Sequence, residues 1–335
     1  MLMFLLLLMV LGFFGVLIYH IRPRHVDFPE QRRAIGILLP QAVTPTGVTF
    51  ERKYFVTSDN IRLSYMEYHP KDNEFKSVIF NVHGYADSTL WFQHARNLKL
   101  AEEGFCVVAV DLEGHGYSDG LLQYVADFER LVRGPNELFK EKREELKASS
   151  YFLMGESLGG AVVLWSLLLY DQAQWKGAVL LSPMCKVSDD IRPPEIIVKI
   201  LTALSGIFPT WSVTPSPDLV DLCFKNSASN KLFKSNPLRI VMYPRIKSAI
   251  EFLRATDFIE SKMEQITTPI LILHGEADRV TNPKTSQELH ERSTSKDKTL
   301  KIYPGSWHNL FEGEYEPEQK QVWSDLLTWL KARSS

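Results

Sequence analysis

The sequence has little of what marks several large classes of protein. It contains only three cysteines, Cys106, Cys185 and Cys223, and they are too scattered for a disulfide framework or a thiolate metal site. It has no Asn-x-Ser/Thr sequon, and together these two observations favour a reducing, non-lumenal compartment. The formal net charge is −2, so no long-range field favours nucleic acid as a partner.

Sequence motifs for bound cofactors are missing as well. No spacing of histidines, cysteines and carboxylates fits a metal site. No glycine-rich loop fits a P-loop or a dinucleotide fingerprint, because Gly114-x-Gly116 is not followed by a third glycine at the required distance. We therefore predict no metal and no cofactor, while the sequence leaves the oligomeric state open.

What is present is the composition of an ordinary globular protein with one conspicuous motif. The 335 residues are 45% hydrophobic, which is enough for a large core. Gly155-x-Ser157-x-Gly159 follows a short apolar stretch, Tyr151–Met154, and precedes a leucine-rich stretch, Leu158–Tyr170. A strand that turns at once into a helix needs glycines beside the turn, where Cβ atoms would collide. The motif predicts a nucleophile elbow, with the Ser157 hydroxyl exposed.

Apolar strands and helices alternate along most of the chain, which predicts a mostly parallel sheet with helices on both faces. A hairpin is predicted over Phe50–Tyr68. The predicted later strands are Ser77–Val82, Phe105–Val110, Tyr151–Met154, Ala178–Leu181, Pro269–His274 and Thr299–Tyr303. The predicted helices include Leu90–Glu103, capped from Asp87, Ser88 and Thr89; Tyr124–Ala148, which Gly134 and Pro135 could interrupt; and Val322–Ala332.

Residues in the loops after these strands fit nucleophilic catalysis, because loops at the carboxyl ends of parallel strands share one edge of a sheet. Ser157 needs a base, and among nine histidines His308 lies between the last strand and the last helix, which suits this role. Asp278 is the predicted carboxylate that orients and stabilises this base. Glu276 and Asp111 are its rivals.

An acyl-transfer site also needs backbone donors for the developing oxyanion. The N–H of Leu158 at the helix N-terminus is one predicted donor. The N–H of Tyr85, in the loop after the first buried strand, is the other. His83 and His274 come directly after strands and precede glycines, so their predicted role is structural, as hydrogen-bond partners of the loop backbone.

The N-terminal run Leu2–Tyr19 consists only of apolar residues and glycine. As a helix it reaches roughly 27 Å, just enough to cross a bilayer core. No Lys or Arg precedes it and no small-x-small site follows, so an uncleaved anchor is favoured over a signal peptide. Four arginines soon after the run, at positions 22, 24, 32 and 33, predict a cytosolic catalytic domain at an endomembrane such as the endoplasmic reticulum.

These patterns divide the chain into five parts: an anchor over residues 1–19, a proline-bearing tether over 20–49, a core in two parts over 50–185 and 260–335, and a helical cap or lid over 186–259. Within the cap, Ile196, Ile200, Leu204 and Ile207 form part of an apolar stripe at helical spacing. The stripe either lines a pocket for an apolar substrate or packs on the domain's own core.

Five motifs in this order resemble those of the monoacylglycerol lipase-like α/β-hydrolases. The motifs are His83–Tyr85, Gly114–Gly120, Gly155–Gly160, His274–Asp278 and Tyr303–His308. The nearest branch is that of plants, with caffeoylshikimate esterase and lysophospholipase-like members. The resemblance covers about Phe50 to Leu330 and implies an α/β-hydrolase fold with a serine triad, a helical cap and carboxylic-ester substrates. The N-terminal apolar run departs from the soluble members of the family.

The function predicted from these observations is a membrane-tethered serine esterase that cleaves monoacylglycerol or lysophospholipid-type esters through an acyl-enzyme. A phenolic ester such as caffeoylshikimate is the alternative substrate. Two alternatives of another class stay open: a ligand receptor on an α/β-hydrolase fold with little turnover, and a structural membrane protein with a vestigial site.

Overall fold

A single sheet in the order β1-β2-β4-β3-β5-β6-β7-β8 runs through the centre of the chain. The computed structural model describes residues 28–35, 44–187, 192–212, 219–239 and 244–334. The strands are β1 (Thr49–Val56), β2 (Arg62–His69), β3 (Ser77–Val82), β4 (Cys106–Val110), β5 (Ser150–Glu156), β6 (Gly177–Leu181), β7 (Ile270–Gly275) and β8 (Lys298–Tyr303).

The α-helices of the described residues follow in chain order. They are α1 (Pro29–Ala34), α2 (Gln93–Glu102), α3 (Phe128–Leu146), α4 (Leu158–Leu169), α5 (Glu195–Ile207), α6 (Val220–Cys223), α7 (Ser227–Lys234), α8 (Ile246–Glu260), α9 (Pro283–Arg292) and α10 (Glu316–Lys331). Single 3₁₀ turns occur at Lys71–Asn73, Gln172–Gln174 and Met263–Gln265.

The strand pairing explains where the loops meet. β1 and β2 form an antiparallel hairpin, and β2 pairs antiparallel with β4. The six strands from β4 to β8 in the sheet order are parallel to one another. The strand order reverses at β3, which lies between β4 and β5. In open parallel sheets such a reversal leaves a crevice at the carboxyl ends of the strands. Here that crevice adjoins the loops after β3 and β5.

Both faces of the sheet are buried. On one face, side chains of the sheet pack with α3, α4 and α8, for example Phe80 against Phe139, and α3 and α4 contact each other through Phe128 and Trp165. On the other face, they pack with α2 and α10, for example Phe152 against Trp329. The all-apolar strands seen in the sequence are therefore the central strands of a sheet covered by helices, as predicted.

Three helices differ from their predictions, and one of them, α10, begins at Glu316 rather than Val322. Helix α2 begins at Gln93 rather than Leu90, and no side chain caps it. Helix α3 continues through Gly134 and Pro135 without interruption. A Cβ at position 134 would lie 3.1 Å from a methyl carbon of Leu63, so the glycine lets α3 approach β2 closely. Packing against the sheet thus outweighs the poor helix propensity of the pair.

The described part of the cap contains helices and no strand, but its helices differ in burial. Helix α8 belongs to the core, since Ile259 is fully buried and Ala255 accepts a hydrogen bond from Trp165. Helix α5 packs along α8 and has no buried residue. The exposed fractions of Ile196 (63%), Ile200 (49%) and Ile207 (70%) exclude the alternative that this stripe packs on the domain's own core.

The N-terminal part of the chain is described only from Phe28, so the predicted anchor Leu2–Tyr19 lies outside the described residues. Within the ranges that are described, no helix has the length and hydropathy needed to cross a bilayer. Part of the predicted tether is folded, because α1 lies against the loop after β4. The Arg32 guanidinium is fully buried there and donates hydrogen bonds to the carbonyl oxygens of Gly116, Ser118 and Gly120.

Candidate active site

Ser157 is the first residue after β5 and directly precedes α4, with φ 53° and ψ −114°. Such a positive φ is costly for a residue with a Cβ and is held by its surroundings. The Ser157 N–H donates to Leu181 O at 2.9 Å, and Ser157 O accepts from Met184 N at 3.0 Å. A Cβ on Gly159 would lie 2.1 Å from Val82 O, so a glycine is needed for this close packing. The local geometry is that of the predicted elbow.

His308 and Asp278 form a buried pair. His308 lies in the loop after β8 and Asp278 in the loop after β7, and His308 Nδ1 lies 2.7 Å from Asp278 Oδ2. Both are more than nine-tenths buried, while Ser157 keeps partial exposure. Donation of the Nδ1 proton to Asp278 leaves Nε2 free to accept a proton.

The end of β6 connects the elbow with the histidine loop. Leu181 O accepts from Ser157 N, and the hydroxyl of the next residue, Ser182, donates to His308 O at 2.8 Å. A second link joins the residue before Ser157 to the residue after His308, since Asn309 Nδ2 donates to Glu156 Oε1 at 2.9 Å. The structure therefore brings the three sequence-predicted loops together at one edge of the sheet.

Asp278 has two further partners that the sequence did not reveal. His274 Nε2 lies 3.0 Å from Asp278 Oδ2, and its Nδ1 lies 2.7 Å from the hydroxyl of Ser286. The Thr281 hydroxyl lies 2.9 Å from the same carboxylate oxygen. His274 contacts loop backbone as predicted, since its Nε2 lies 3.0 Å from Thr281 O, and it also contacts the predicted carboxylate. The spacing of four residues between His274 and Asp278 was the signal that could have pointed to this contact.

Electrostatics favours an ionised Asp278 beside a basic histidine. Burial alone would raise the pKa of Asp278, but the charge of His308 and the hydrogen bonds from both histidines hold it well below its ordinary range. Burial alone would lower the pKa of His308, yet the charge of Asp278 and its hydrogen bond outweigh burial and raise that pKa. This is the relation expected between a general base and its orienting carboxylate.

The rival carboxylates are engaged elsewhere. Glu276 accepts a hydrogen bond from the N–H of Gly305 at 3.1 Å. Asp111 is fully buried and accepts from the N–H groups of Thr89 and Tyr117. Asp111 thus holds the loops after β3 and β4, and Asp278 is the carboxylate that contacts His308.

His83 has the structural contacts predicted for it, and the neighbouring His115 has a contact of the same kind. His83 Nδ1 lies 2.7 Å from Gly84 O, and its Nε2 accepts from the N–H of Leu112. His115 Nδ1 lies 3.0 Å from Glu113 O. Burial lowers the pKa of His83 and lowers the pKa of His115 to about 3, so both rings are neutral at physiological pH.

The predicted oxyanion donors lie beside the elbow. Leu158 is the first residue of α4, so its N–H has no partner within the helix. Tyr85 follows Gly84, where a Cβ would lie 3.5 Å from Ser157 Cβ. Among the described residues, the Tyr85 N–H donates to no other protein group. Both N–H groups therefore belong to segments that adjoin the serine and are free to bind a substrate oxygen.

None of the four residues of the α5 stripe is buried. Leu204 is half-buried, and Ile196, Ile200 and Ile207 are exposed. Arg96 and Glu156, in contrast, are buried beside the site and were not singled out in the sequence. In the part of the chain that is described, no cluster of His, Cys, Asp and Glu side chains could hold a metal ion.

Comparison with known proteins gives concordant matches. The model of the Hydrolase_4 family, described as serine aminopeptidase, S33, matches residues 73–316. Caffeoylshikimate esterase from Arabidopsis thaliana is 34% identical over 292 residues, which cover 86% of this chain and 87% of the relative. Monoglyceride lipase from Homo sapiens is 26% identical over 294 residues, which cover 87% of this chain and 94% of the relative.

The fold also has solved counterparts. A soluble variant of monoglyceride lipase from Saccharomyces cerevisiae, in complex with a substrate analogue, superposes with a TM-score of 0.76 at 20% identity, over 89% of this chain and 99% of that structure. At this identity the likeness concerns the fold alone.

Proposed function

The chain belongs to the Hydrolase_4 family, described as serine aminopeptidase, S33, and on that premise we propose how its ester hydrolase chemistry is carried out and on what substrates. Its relatives are carboxylic ester hydrolases, and the chain is a serine ester hydrolase of the monoacylglycerol lipase-like kind. In our proposal Ser157 is the nucleophile, His308 the general base and Asp278 the carboxylate that orients it. The single observation that carries this assignment is the buried hydrogen bond of 2.7 Å between His308 and Asp278.

The proposed reaction follows from these positions. His308 Nε2 takes the proton of the Ser157 hydroxyl as the oxygen attacks the ester carbonyl. The N–H groups of Tyr85 and Leu158 bind the oxyanion of the tetrahedral intermediate. The protonated His308 then gives its proton to the leaving alcohol, and an acyl-enzyme remains. Water, activated by the same histidine, attacks the acyl-enzyme and releases the carboxylic acid.

The proposed substrates are esters of the monoacylglycerol or lysophospholipid type. Support comes from the monoglyceride lipases among the relatives and from the exposed apolar stripe of α5. A phenolic ester such as caffeoylshikimate is the second candidate, and the 34% identity to the plant caffeoylshikimate esterase favours it. We further propose that Leu2–Tyr19 anchors the enzyme in an endomembrane with its catalytic domain in the cytosol.

An ester panel with the purified protein tests the substrate class. It contains a long-chain monoacylglycerol, lysophosphatidylcholine and caffeoylshikimate, and an aminoacyl anilide tests the activity for which the family is named. We expect multiple turnover on the lipid esters and little on the anilide. Preference for caffeoylshikimate would select the second candidate, and absence of turnover on every ester would contradict the proposed reaction.

Variants test the residue roles. Ser157→Ala and His308→Ala should each lower turnover on the order of a million-fold, and Asp278→Asn roughly ten-thousand-fold, by analogy with other triads. Ser261→Ala is the matched control, because this exposed serine lies at the end of α8 and its hydroxyl donates to the backbone oxygen of Phe258 in the same helix. Ester hydrolysis by Ser157→Ala at the level of the control would reject the mechanism.

A further inference from the structure

Glu156 connects the nucleophile elbow with the histidine loop. It is the last residue of β5, directly before Ser157, and is 6% exposed. Its Oε1 accepts from Asn309, the residue after His308, at 2.9 Å, and its Oε2 accepts from Arg96 at 2.8 Å. One carboxylate thus contacts the neighbours of both the proposed nucleophile and the proposed base.

Arg96 holds this carboxylate from α2. Its guanidinium is fully buried and also binds Glu312, with Nε at 3.0 Å from Oε1 and Nη2 at 2.6 Å from Oε2. It stacks over the ring of Phe311, 4.7 Å from the ring centre. Burial alone would lower the pKa of Arg96, but Glu156 and Glu312 outweigh burial and raise it. The cation is therefore permanent and pairs with both carboxylates. Burial raises the pKa of Glu312, and the charge of Arg96 partly offsets that rise.

Asn309 is the second partner of Glu156, and its own side chain is held in one orientation. Its Oδ1 accepts from the N–H groups of Glu312 and Gly313, each at 2.7 Å. With both lone-pair directions of Oδ1 used, the Asn309 amide is held with Nδ2 toward Glu156. The loop that follows His308 is thereby connected to the elbow through a side chain with one fixed orientation.

Several titratable groups from neighbouring elements surround the contacts that Glu156 makes with Asn309 and Arg96. Asp278 and His274 face His308 from β7 and its loop, while His83 and Asp87 from the loop after β3, together with Arg96 and Glu312, face Glu156. Burial, followed by the nearby carboxylates, raises the pKa of Asp87 well above its ordinary range, which favours its neutral form. After Asp278, the negative charge that acts on the His308 imidazolium is that of Glu156.

We propose that Glu156 is a positioning residue that holds the histidine loop against the nucleophile elbow and supplies a second negative charge, besides Asp278, that stabilises the imidazolium form of His308. This inference rests on the proposed function, in which His308 is the general base. It assigns a role in catalysis to the residue before the nucleophile and, through it, to the buried Arg96.

The test compares Glu156→Gln with Glu312→Gln in the full-length enzyme. Each variant removes one carboxylate from the same guanidinium and turns an amide NH₂ toward a donor, so the two carry similar structural costs. The measurement is the pH dependence of kcat/KM, whose acidic limb reports the pKa of the base in the free enzyme. In Glu156→Gln we expect the midpoint of this limb to fall by about half to one pH unit, because a nearby negative charge is lost. In Glu312→Gln it should stay at the wild-type value.

If Glu156→Gln does not fold, Arg96→Gln/Glu156→Gln is compared with Arg96→Gln/Glu312→Gln. Each double variant lacks the cation and one carboxylate. The acidic limb of the kcat/KM profile should lie at lower pH in Arg96→Gln/Glu156→Gln than in Arg96→Gln/Glu312→Gln. The comparison whose two variants both fold decides the matter. If their acidic limbs coincide, Glu156 has only a structural role and the inference is overturned. Failure of the proposed function looks different, since wild-type enzyme would then show no acidic limb or Ser157→Ala would keep its activity.

Discussion

At the residue scale, most polar contacts of the site converge on the Asp278 carboxylate. Oδ2 lies within 3.0 Å of His308, His274 and the Thr281 hydroxyl, while Oδ1 accepts from the N–H groups of Val280 and Thr281. A carboxylate that accepts several hydrogen bonds stays ionised and keeps one orientation. The His308 ring is therefore oriented by a carboxylate that β7 and the loop after it hold in place.

The first prediction concerns pH. The pKa of His308 is raised above its ordinary value of 6.5, so the base becomes protonated at a higher pH than an isolated histidine. Wild-type kcat/KM should thus fall with decreasing pH through a midpoint above 6.5, and Asp278→Asn should lower that midpoint because the stabilising charge is lost. His115→Gln is the control, since the pKa of His115 is already lowered to about 3. A wild-type midpoint below 6.5 would contradict the electrostatic account.

How much of the site could be predicted depends on the residue. Ser157, Asp278 and His308 follow strands in loops with distinctive motifs, so their placement at one edge of the sheet could be inferred from sheet topology. Arg96 gives no such signal, because it lies on an amphipathic helix among polar residues and resembles an exposed arginine. Its burial depends on Glu156 and Glu312, which are 60 and 216 positions away in the chain. Pairings over such separations require the three-dimensional packing.

At the scale of elements, the elbow depends on the contact between α4 and β3. A Cβ on Gly159 would lie 2.1 Å from the backbone oxygen of Val82, which cannot move without shifting β3. Gly159→Ala should therefore lower Tm and abolish activity, at a cost of roughly 1–3 kcal/mol or more from overpacking. Gly206→Ala in α5 is the control, because a Cβ at that position would meet no other group of the described residues within 4 Å.

The control should keep activity and gain up to about 1 kcal/mol, since alanine is the better helix former. Thermal unfolding followed by circular dichroism measures both changes. Equal Tm values for Gly159→Ala and Gly206→Ala would contradict the close contact between α4 and β3.

A further prediction concerns the exposed stripe of α5. If this stripe guides an acyl chain, Ile200→Glu should harm hydrolysis of long-chain esters far more than that of a short chromogenic acetate ester. Each buried methylene contributes up to about 0.8 kcal/mol, so a contact with four methylenes corresponds to at most roughly two-hundred-fold in kcat/KM. Leu232→Glu in α7 is the matched control, because Leu232 is 45% exposed and Ile200 is 49% exposed. Equal effects of Ile200→Glu on long and short esters would exclude this role.

The elements differ in how well the sequence predicts them. The sequence predicts the ends of the central strands to within two residues, because continuous apolar runs between polar loops have few alternatives. Helix α3 shows where local rules fail, since its glycine and proline indicate a break that packing on Leu63 and Thr57 overrides. The sequence leaves the role of α5 open, because the apolar stripe has the same spacing whether the helix is buried or exposed.

At the scale of the whole molecule, α1 limits how far the catalytic domain can lie from the proposed anchor. Arg32 is buried against the loop after β4, and Arg33 pairs with Asp119 at 2.9 Å. These arginines, counted in the sequence as charges flanking the anchor, thus also fasten α1 to the core. Only residues 20–27 separate Tyr19 from Phe28, and a fully extended segment of this length spans about 30 Å. An anchored enzyme would therefore be confined close to the membrane surface.

The last prediction tests this arrangement by truncation. Deletion of residues 1–20 should release an active, soluble enzyme, whereas the full-length chain should stay in the membrane fraction after carbonate extraction. Deletion of residues 1–34 should also release the protein but lower its Tm, because the buried Arg32 and its three carbonyl contacts are lost. Protease added to sealed microsomes should digest the catalytic domain without detergent. Protection of that domain, or glycosylation at Asn226 after Ala228→Thr completes a sequon, would reverse the topology and favour a signal peptide. Extraction of the full-length chain by carbonate would remove the anchor itself from the proposal.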